Sequence, residues 1–326
     1  MRPLYINQIL LNWIITAESD IDFAVGGQAV MEGVMMRSPN SLVISVRKQA
    51  GNIKSKKRKY RTLTQRFRLL NIPILRGIIN LFEMMYIGTS AINFSANEML
   101  EDETGQPEGE KTKWQKVIEA LMMVFSFILA IGLSIVLFKV IPLSIATLLE
   151  RYFPSISENY ILFNAIDGAS KMLIFLSYIY ILTLFKSFYR IFEYHGAEHK
   201  SINTYENHQK LVPENAAKES RFHPRCGTSF VLIVFVTSIL VYTVVPRQPD
   251  FLSNLGMRIA LLPLIAGISY EYLKLSARFV DNIVVRAIIT PGLWFQRLTT
   301  KEPDEGQLEV GLKSLKDSLA MEASEV

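Results

Sequence analysis

The chain has 326 residues, of which 50% are hydrophobic and 20% are charged, and its mean hydropathy is +0.23. This composition is too apolar for an ordinary soluble enzyme and fits a membrane domain with soluble attachments. A single cysteine excludes an internal disulfide framework, and a lone thiol fits a reducing position that faces the cytosol.

Residues 1–71 are predicted to form a basic N-terminal module in the cytosol. Residues 1–24 fit a short amphipathic helix, and no cleavable signal peptide is expected because the first apolar stretch runs directly into acidic residues. Ser41–Lys48 alternates apolar and polar side chains, and Gln49–Asn52 fits a turn. A β-hairpin that continues past Ile53 is therefore expected.

The basic charge of this module is concentrated in one block. Between Arg37 and Arg76 there are twelve Lys or Arg residues and no Asp or Glu. Next to membrane spans, such a block holds its segment in the cytosol, and it is also suited to bind a membrane-protein partner or anionic lipid head groups. The block lacks interleaved aromatic residues, so specific nucleic-acid binding is not expected.

Residues 72–99 are apolar enough for a helix of spanning length, yet they contain Arg76 and Glu83. A span here would place the basic block and the loop at 186–225 on opposite sides of the membrane. We therefore expect a helix that lies at the interface or packs against the bundle. Residues 100–116 are acidic and contain Gly, Pro and Thr, which predicts a solvated linker.

Residues 117–275 are predicted to contain four transmembrane helices, because four apolar segments each approach the roughly 20 residues that a bilayer requires. These segments are Val117–Ile141, Leu162–Phe185, Gly227–Val245 and Leu255–Leu273. Asp167 and Lys171 interrupt the second segment, and their i,i+4 spacing predicts mutual neutralisation. The expected fold class is mainly α: a four-helix transmembrane bundle with a small cytosolic β-containing N-terminal module.

The distribution of basic residues predicts the orientation of this bundle. Seven Lys or Arg residues lie in the His-rich loop at 186–226, whereas the other two loops between spans contain one and two. Because cytosolic loops carry the excess of positive charge, this loop and both termini are expected in the cytosol.

Residues 276–326 are expected to form a cytosolic C-terminal helix and tail. Phe279–Leu298 fits a mixed helix that is broken at Pro291-Gly292. Residues 301–326 are polar and have a weak amphipathic pattern, which predicts a mobile tail.

The residues that can carry chemistry form the motif His195-x-x-Glu198-His199, the reverse of the commoner H-E-x-x-H zinc signature. On a helix, the two imidazoles at i and i+4 project from one face and can bind the same ion. Glu198 lies on that face, where it can take a proton from a water molecule that the metal activates. We expect the second span to continue as a helix through Phe185–Arg190 into this motif.

Three further residues are candidates for completing a site for zinc or another divalent transition metal. Catalytic zinc usually has three protein ligands and an open position, whereas structural zinc has four. Glu271 beside His195 and His199 would give a catalytic set, and His223 with Cys226 would give a closed structural clip. The sequence leaves both open, together with the alternative that the histidines are only hydrogen-bonded polar groups.

The glycine-rich segment at 26–39 contains two charged residues, Glu32 and Arg37. They are expected either to contact the metal ligands and hold them in place or to pair with each other.

Three runs in this sequence resemble the YqhQ-like family: GGQAVMEGVMMRSP at 26–39, EYHGAEHKSINTYE at 193–206 and HPRCGTSF at 223–230. This is a family of multi-pass membrane proteins of unknown function from bacteria and plastids, often labelled as predicted metal-dependent enzymes. The resemblance covers nearly the whole chain and implies a bacterial plasma (inner) membrane or a plastid membrane, with a stromal rather than cytosolic face in the plastid. The family supplies no substrate. By resemblance, its signature positions are His195, Glu198, His199, His223 and Cys226.

Two functional hypotheses follow. The first is a metal-dependent hydrolase at the cytosolic membrane surface, which uses Glu198 as general base on a membrane-proximal peptide or lipid. The second is a non-enzymatic membrane scaffold or assembly factor, whose His-rich loop is held by a structural metal or by hydrogen bonds. A transporter ranks third, and it would require a polar path that joins Asp167 to Glu271.

Overall fold

A computed structural model describes residues 25–104, 112–245, 248, 250–279 and 283–324. The amphipathic helix predicted for residues 1–24 lies outside this part of the chain. The described chain is mainly helical and has a small antiparallel sheet at its N-terminal end, as the sequence predicts.

The sheet is a four-stranded antiparallel meander. Its strands lie in chain order across the sheet: β1 Gly26–Val30, β2 Gly33–Arg37, β3 Ser41–Arg47 and β4 Ile53–Lys59. The predicted β-hairpin is confirmed as β3 and β4, whose register pairs Arg47 with Ile53. The β1–β2 hairpin was not predicted, since its two-residue turn contains Glu32 at φ 49° rather than the glycine or asparagine that favours this conformation.

Helices form most of the remaining described chain. A 3₁₀ turn at Arg68–Leu70 and a π-helical turn at Val136–Val140 accompany them. The α-helices are α1 Leu63–Arg66, α2 Leu75–Thr104, α3 Lys113–Ile135, α4 Ile141–Tyr152, α5 Pro154–Glu158, α6 Tyr160–Thr183, α7 Lys186–Glu206, α8 Pro213–Ala216, α9 Gly227–Val244, α10 Phe251–Ala260, α11 Leu262–Arg278, α12 Ile283–Thr299 and α13 Glu305–Ala323.

Three helical stretches of the described chain are long and apolar enough to cross a membrane: Ala120–Tyr152, Tyr160–Thr183 and Gly227–Val244. A fourth results if α10 and α11, which meet at a 41° bend, form one span. The fourth predicted span, Leu255–Leu273, therefore corresponds to this bent pair of helices and not to one straight helix. Pro263, which has no N–H to donate, lies in the first turn of α11 and marks the break.

The first span continues further than the sequence suggests. Pro142 was expected to begin a loop, but it occupies the first turn of α4, directly after the π-helical turn at Val136–Val140, and the helical stretch continues past it. The helix therefore extends to Tyr152. Similarly, Pro291 lies inside α12 and does not break it, and the adjacent Gly292 allows α12 to lie against Ser229.

The helix that carries the histidine motif is separate from the second span. α6 ends at Thr183, and Phe185 has extended dihedral angles of φ −90° and ψ 124° before α7 begins. The expectation of one helix through Phe185–Arg190 was wrong, and no Pro or Gly at this point indicates the break. The motif itself is helical, as predicted.

The polar C-terminal segment is not a mobile tail. It forms α13, which packs against β2, β3 and α7 and contributes four buried apolar side chains, Leu308, Val310, Leu312 and Leu315. Its serines are buried as well because they find partners, and Ser314 donates to the carbonyl of Val43 at 3.1 Å. Polar residues on the buried face weaken the amphipathic pattern, which explains the wrong prediction.

Candidate functional site

The motif lies at the centre of α7, between the sheet and the segment that follows α12. Two glycines allow this close packing. A Cβ atom on Gly196 would overlap the carbonyl oxygen of Lys301, whose N–H donates to the carbonyl of Phe192 at 2.8 Å. A Cβ atom on Gly27 in β1 would lie 2.6 Å from Cγ of Glu198. The backbone thus approaches the motif from both sides.

Each motif histidine is oriented by a backbone carbonyl. Nδ1 of His195 lies 2.8 Å from the carbonyl oxygen of Thr299, and Nδ1 of His199 lies 2.6 Å from that of Arg221. A carbonyl oxygen can only accept, so each Nδ1 carries the proton and each Nε2 presents a lone pair. Metal-binding histidines commonly donate their other ring N–H to a carbonyl or carboxylate in this way.

Cys226 completes a group of three potential ligands. It lies directly before α9, and its Sγ is 3.3 Å from Nε2 of His195. One ligand atom from each of His195, His199 and Cys226 lies within 4.8 Å of the other two. A tetrahedral zinc ion needs separations of roughly 3.3–3.8 Å between its nitrogen and sulfur ligands. Small side-chain movements are therefore enough to bind an ion.

The Nε2 atom of His199 points into this group without a hydrogen-bond partner, although the side chain is almost completely buried. Buried polar atoms are rarely left in this state, because desolvation without a partner costs on the order of 1–3 kcal/mol. An ion bound by the three side chains would satisfy this atom.

Glu198 is buried beside both imidazoles. Its Oε2 lies 3.8 Å from Nε2 of His195 and 3.7 Å from Nε2 of His199, and the backbone N–H of Gly27 donates to its carboxylate. Burial raises the pKa of Glu198 to about 7, although His195 and the N–H of Gly27 oppose the shift. At neutral pH this carboxyl group is therefore poised to gain or lose a proton.

Burial also favours the neutral forms of the neighbouring groups. It lowers the pKa of His199 well below its usual value, and the nearby His195 and His223 add to this effect. The imidazole is therefore neutral, as a ligand must be. Burial, together with the charge of Glu198, raises the pKa of the Cys226 thiol to about 12, so metal binding would have to displace its proton.

His223 lies next to the group but does not point its ring nitrogen into it. Its Nε2 is 3.2 Å from Oε2 of Glu206, and its ring centroid lies 5.8 Å from that of His199. The side chain of Gln296 bonds both the N–H and the carbonyl of His223, at 2.9 and 2.8 Å. His223 therefore fastens the loop to α12, and the four-ligand clip predicted with Cys226 is not assembled.

Glu271 is not available as a ligand. Its carboxylate accepts from Nε of Arg76 at 2.7 Å, makes a second contact with that guanidinium, and accepts from the N–H of Ile74 at 3.3 Å. A buried carboxylate needs such a partner, and α2 supplies it. The structure therefore does not bring Glu271 together with His195 and His199, as the alternative catalytic set would require.

Glu32 and Arg37 do not pair with each other. The carboxylate of Glu32 binds the guanidinium of Arg190 and accepts from the hydroxyl of Tyr194 at 3.1 Å, whereas Arg37 lies over the ring of Tyr60. Glu32 thus attaches the β1–β2 turn to α7 near the motif. It supports the helix and makes no described contact with the candidate ligands themselves.

The polar groups within the spans form a separate network. Asp167 pairs with Lys171, as predicted, and also with Arg258 from α10. Among the described contacts, no residue is shared between the partners of Asp167 and those of Glu271. The polar path that a transporter would require is not visible in this part of the chain.

Several supporting groups were not predicted. The carbonyls of Thr299 and Arg221 and the side chain of Gln296 hold the three histidines, and Gly27 contacts Glu198. No residue type distinguishes a carbonyl that accepts from a histidine, since every residue has one. Only the tertiary arrangement brings these groups to the motif.

Comparisons with known proteins identify the family of the chain. The profile of a family described as "Protein of unknown function (DUF1385)" matches residues 72–321. The "Uncharacterized protein YqhQ" of Bacillus subtilis (strain 168) is 36% identical over 304 residues, which cover 92% of this chain and 93% of that protein. No solved structure matches. The resemblance to the YqhQ-like family is confirmed.

Proposed function

We propose that this chain, which belongs to the family described as "Protein of unknown function (DUF1385)", is a membrane-bound, metal-dependent hydrolase. His195, His199 and Cys226 bind one zinc ion or another divalent transition metal. The substrate is a peptide or lipid at the membrane surface, and Glu198 acts on the attacking water.

The observation that carries this proposal is the orientation of the two imidazoles. Both Nδ1 atoms are held by carbonyls, both Nε2 lone pairs face the Cys226 side of the group, and Nε2 of His199 has no partner among the described atoms. A hydrogen-bonded histidine pair would satisfy both nitrogens of each ring. Three ligands also leave the fourth position that catalytic zinc sites keep open.

The chemistry of the site follows from its donor set. A bound zinc ion would polarise a carbonyl group and make water acidic near neutral pH. Glu198 accepts a proton from the water that adds to the carbonyl carbon, and then gives it to the departing oxygen or nitrogen. One water molecule is consumed, and an acid and an alcohol or amine are released.

The membrane location rests on the apolar helices and on the distribution of charge. The described chain contains three stretches of spanning length, and the loop that carries the motif is the most basic of the loops between the predicted spans. We therefore place the site at the cytosolic face of a bacterial plasma membrane, or at the stromal face of a plastid membrane. The lipid bilayer is therefore a partner of this chain in the proposed function.

Metal analysis of the purified protein tests the proposal. We expect about one zinc ion per chain by mass spectrometry, and almost none in the His195→Ala/His199→Ala variant or in the milder Cys226→Ser variant. His208→Asn is the matched control, because His208 is exposed and asparagine tolerates its positive φ. Wild-type protein that functions fully without a metal would contradict the proposal.

A scaffold or assembly factor is the second candidate, and the exposed basic edge strand β4 favours it. Glu198→Gln separates the two functions. A hydrolase should lose roughly 10²–10⁴-fold in activity and retain its metal, whereas a scaffold should still support a strain that depends on this chain.

Charge reversal on β4 is the complementary variant. Lys54 and Lys57 are unsuitable because they pair with Glu98 and Asp317 at 2.8 and 3.0 Å. The exposed Lys56 on β4 and the exposed Arg61 directly after the strand are better positions. Loss of function in Lys56→Glu/Arg61→Glu with retention in Glu198→Gln would identify a scaffold, and the opposite pattern would identify a hydrolase.

A further inference from the structure

A large apolar groove lies beside the candidate metal site. It has a volume of about 870 Å³ and is formed by α6, α9, α11 and α12. Its walls are built mainly from aliphatic side chains, among them Leu176, Ile233, Leu240 and Ile268. Neither the metal ligands nor Glu198 line it, so the groove is distinct from the candidate metal site.

The groove is long and opens sideways. It follows α9 from Ser229 to Val245, a distance of about 24 Å at roughly 1.5 Å per residue. Val236, Leu240 and Val244 along its rim are 53%, 62% and 83% exposed. Because α9 is one of the stretches that can cross a membrane, this opening faces hydrocarbon in the proposed location.

One end of the groove reaches the metal site. Pro224, which lines it, follows His223 directly. Phe295 and Leu298 line it from α12, whereas Gln296 and Thr299 of the same helix bond His223 and His195. The wall of the groove and the support of the site are therefore the same two segments of chain.

Aromatic residues distinguish this end from the other. Trp294, 65% exposed, lines the groove two residues before Gln296, and Tyr272 lines it from the C-terminal half of α11. Exposed Trp and Tyr side chains are typical of the head-group level of a bilayer. The far end, at Val244, Val245 and Leu264, is aliphatic. The groove thus has a head-group end beside the metal ligands and a hydrocarbon end away from them.

We propose that the groove binds one acyl chain of a membrane lipid, with its ester or amide linkage at the His195–His199–Cys226 end. Its volume lies within the roughly 300–1,000 Å³ of small-molecule sites. The position of the linkage rests on the proposed hydrolase, whereas binding of the acyl chain requires only the membrane location.

Photochemical labelling tests this inference. The full chain is reconstituted in phosphatidylcholine vesicles that contain a phosphatidylcholine with a diazirine on one acyl chain, and labelled positions are mapped by mass spectrometry. We expect labels to concentrate on the α9, α11 and α12 residues that line the groove. Ile233→Trp, which fills the groove, should reduce this labelling at least fivefold. Leu173→Trp is the control, because Leu173 is 66% exposed on α6 and does not line the groove.

Labelling in proportion to exposure along all apolar helices would overturn the inference, as would cross-links that show a second copy seated on α9. If Ile233→Trp does not fold, competition by lysophosphatidylcholine provides the same test, and unchanged labelling under an excess of it would also overturn the inference. Zinc content is measured on the same samples. Groove labelling in a protein that contains no zinc would contradict the proposed hydrolase and support the acyl-chain site. Bound zinc without groove labelling would contradict the acyl-chain site and leave the proposed hydrolase intact.

Discussion

Gly27 allows β1 to pack closely against Glu198 at the candidate site. Its neighbour Glu198 is buried, and a methyl group at Gly27 would lie 2.6 Å from Cγ and 2.7 Å from Oε1 of that side chain. Both distances are far below van der Waals contact. The glycine therefore allows β1 to approach α7 so closely that its N–H can donate to the carboxylate.

We predict that Gly27→Ala displaces Glu198 and destabilises the fold by about 1–3 kcal/mol, the usual cost of overpacking. Gly26→Ala is the matched control, because a Cβ atom there meets nothing within 4 Å. Thermal denaturation of both variants in detergent provides the measurement. Equal melting temperatures for Gly27→Ala and Gly26→Ala would show that the strand does not constrain Glu198.

At this scale, the sequence predicted the chemical groups better than their arrangement. His195, Glu198, His199 and Cys226 come together, and spacing on a helix accounts for three of them. Glu271 was an equally suitable ligand by residue type, but its carboxylate is paired with the buried guanidinium of Arg76. Charge pairing between distant segments is not visible in a local pattern.

At the scale of elements, the ion pair between Arg76 and Glu271 joins α2 to α11. The guanidinium is buried, and the side chain of Glu271 is 11% exposed. Removing one partner of such a pair leaves an uncompensated buried charge, whereas replacing both with apolar groups is often neutral. The pair therefore fixes how these two helices meet more than it adds to stability.

We predict that Arg76→Met lowers the free energy of unfolding by about 3–5 kcal/mol and that Arg76→Met/Glu271→Leu recovers most of the loss. Thermal denaturation of the single and double variants completes the cycle. Additive effects of the two substitutions would show that the residues are not coupled, and would leave Glu271 available for another partner.

The elements that the sequence predicted best are those defined by local periodicity. The β3–β4 hairpin alternates clearly, and the apolar stretches identify the spans. α13 was missed because its buried face contains serines that bond to the sheet. The break before α7 at Phe185 was missed because tertiary packing, and not a Pro or Gly, separates the two helices.

At the scale of the whole molecule, the candidate site lies where the sheet, α7 and the ends of the apolar helices meet. β1 contributes Gly27, Cys226 lies directly before α9, and α12 ends at Thr299. No one of these parts alone supplies all the groups that surround the two motif histidines. This arrangement joins a compact polar unit to an apolar bundle and suits chemistry at the surface of a bilayer.

Composition predicted the mainly helical, membrane-type class because apolar length is a property of the sequence itself. The docking of α13 onto β2 and β3 joins residues more than 270 positions apart, as in the bond from Ser314 to Val43, and no local pattern encodes it. Burial of the motif depends on this docking, since α13 also packs against α7.

X-ray absorption at the zinc edge of the purified wild-type chain tests the proposed metal site. We expect one zinc per chain with two nitrogen ligands at about 2.0–2.1 Å, one sulfur at about 2.3 Å and a light fourth ligand. Cys226→Ser should contain almost no zinc and should therefore give almost no absorption at this edge. A metal-free wild-type protein, or a zinc ion without the sulfur of Cys226, would contradict the proposed site.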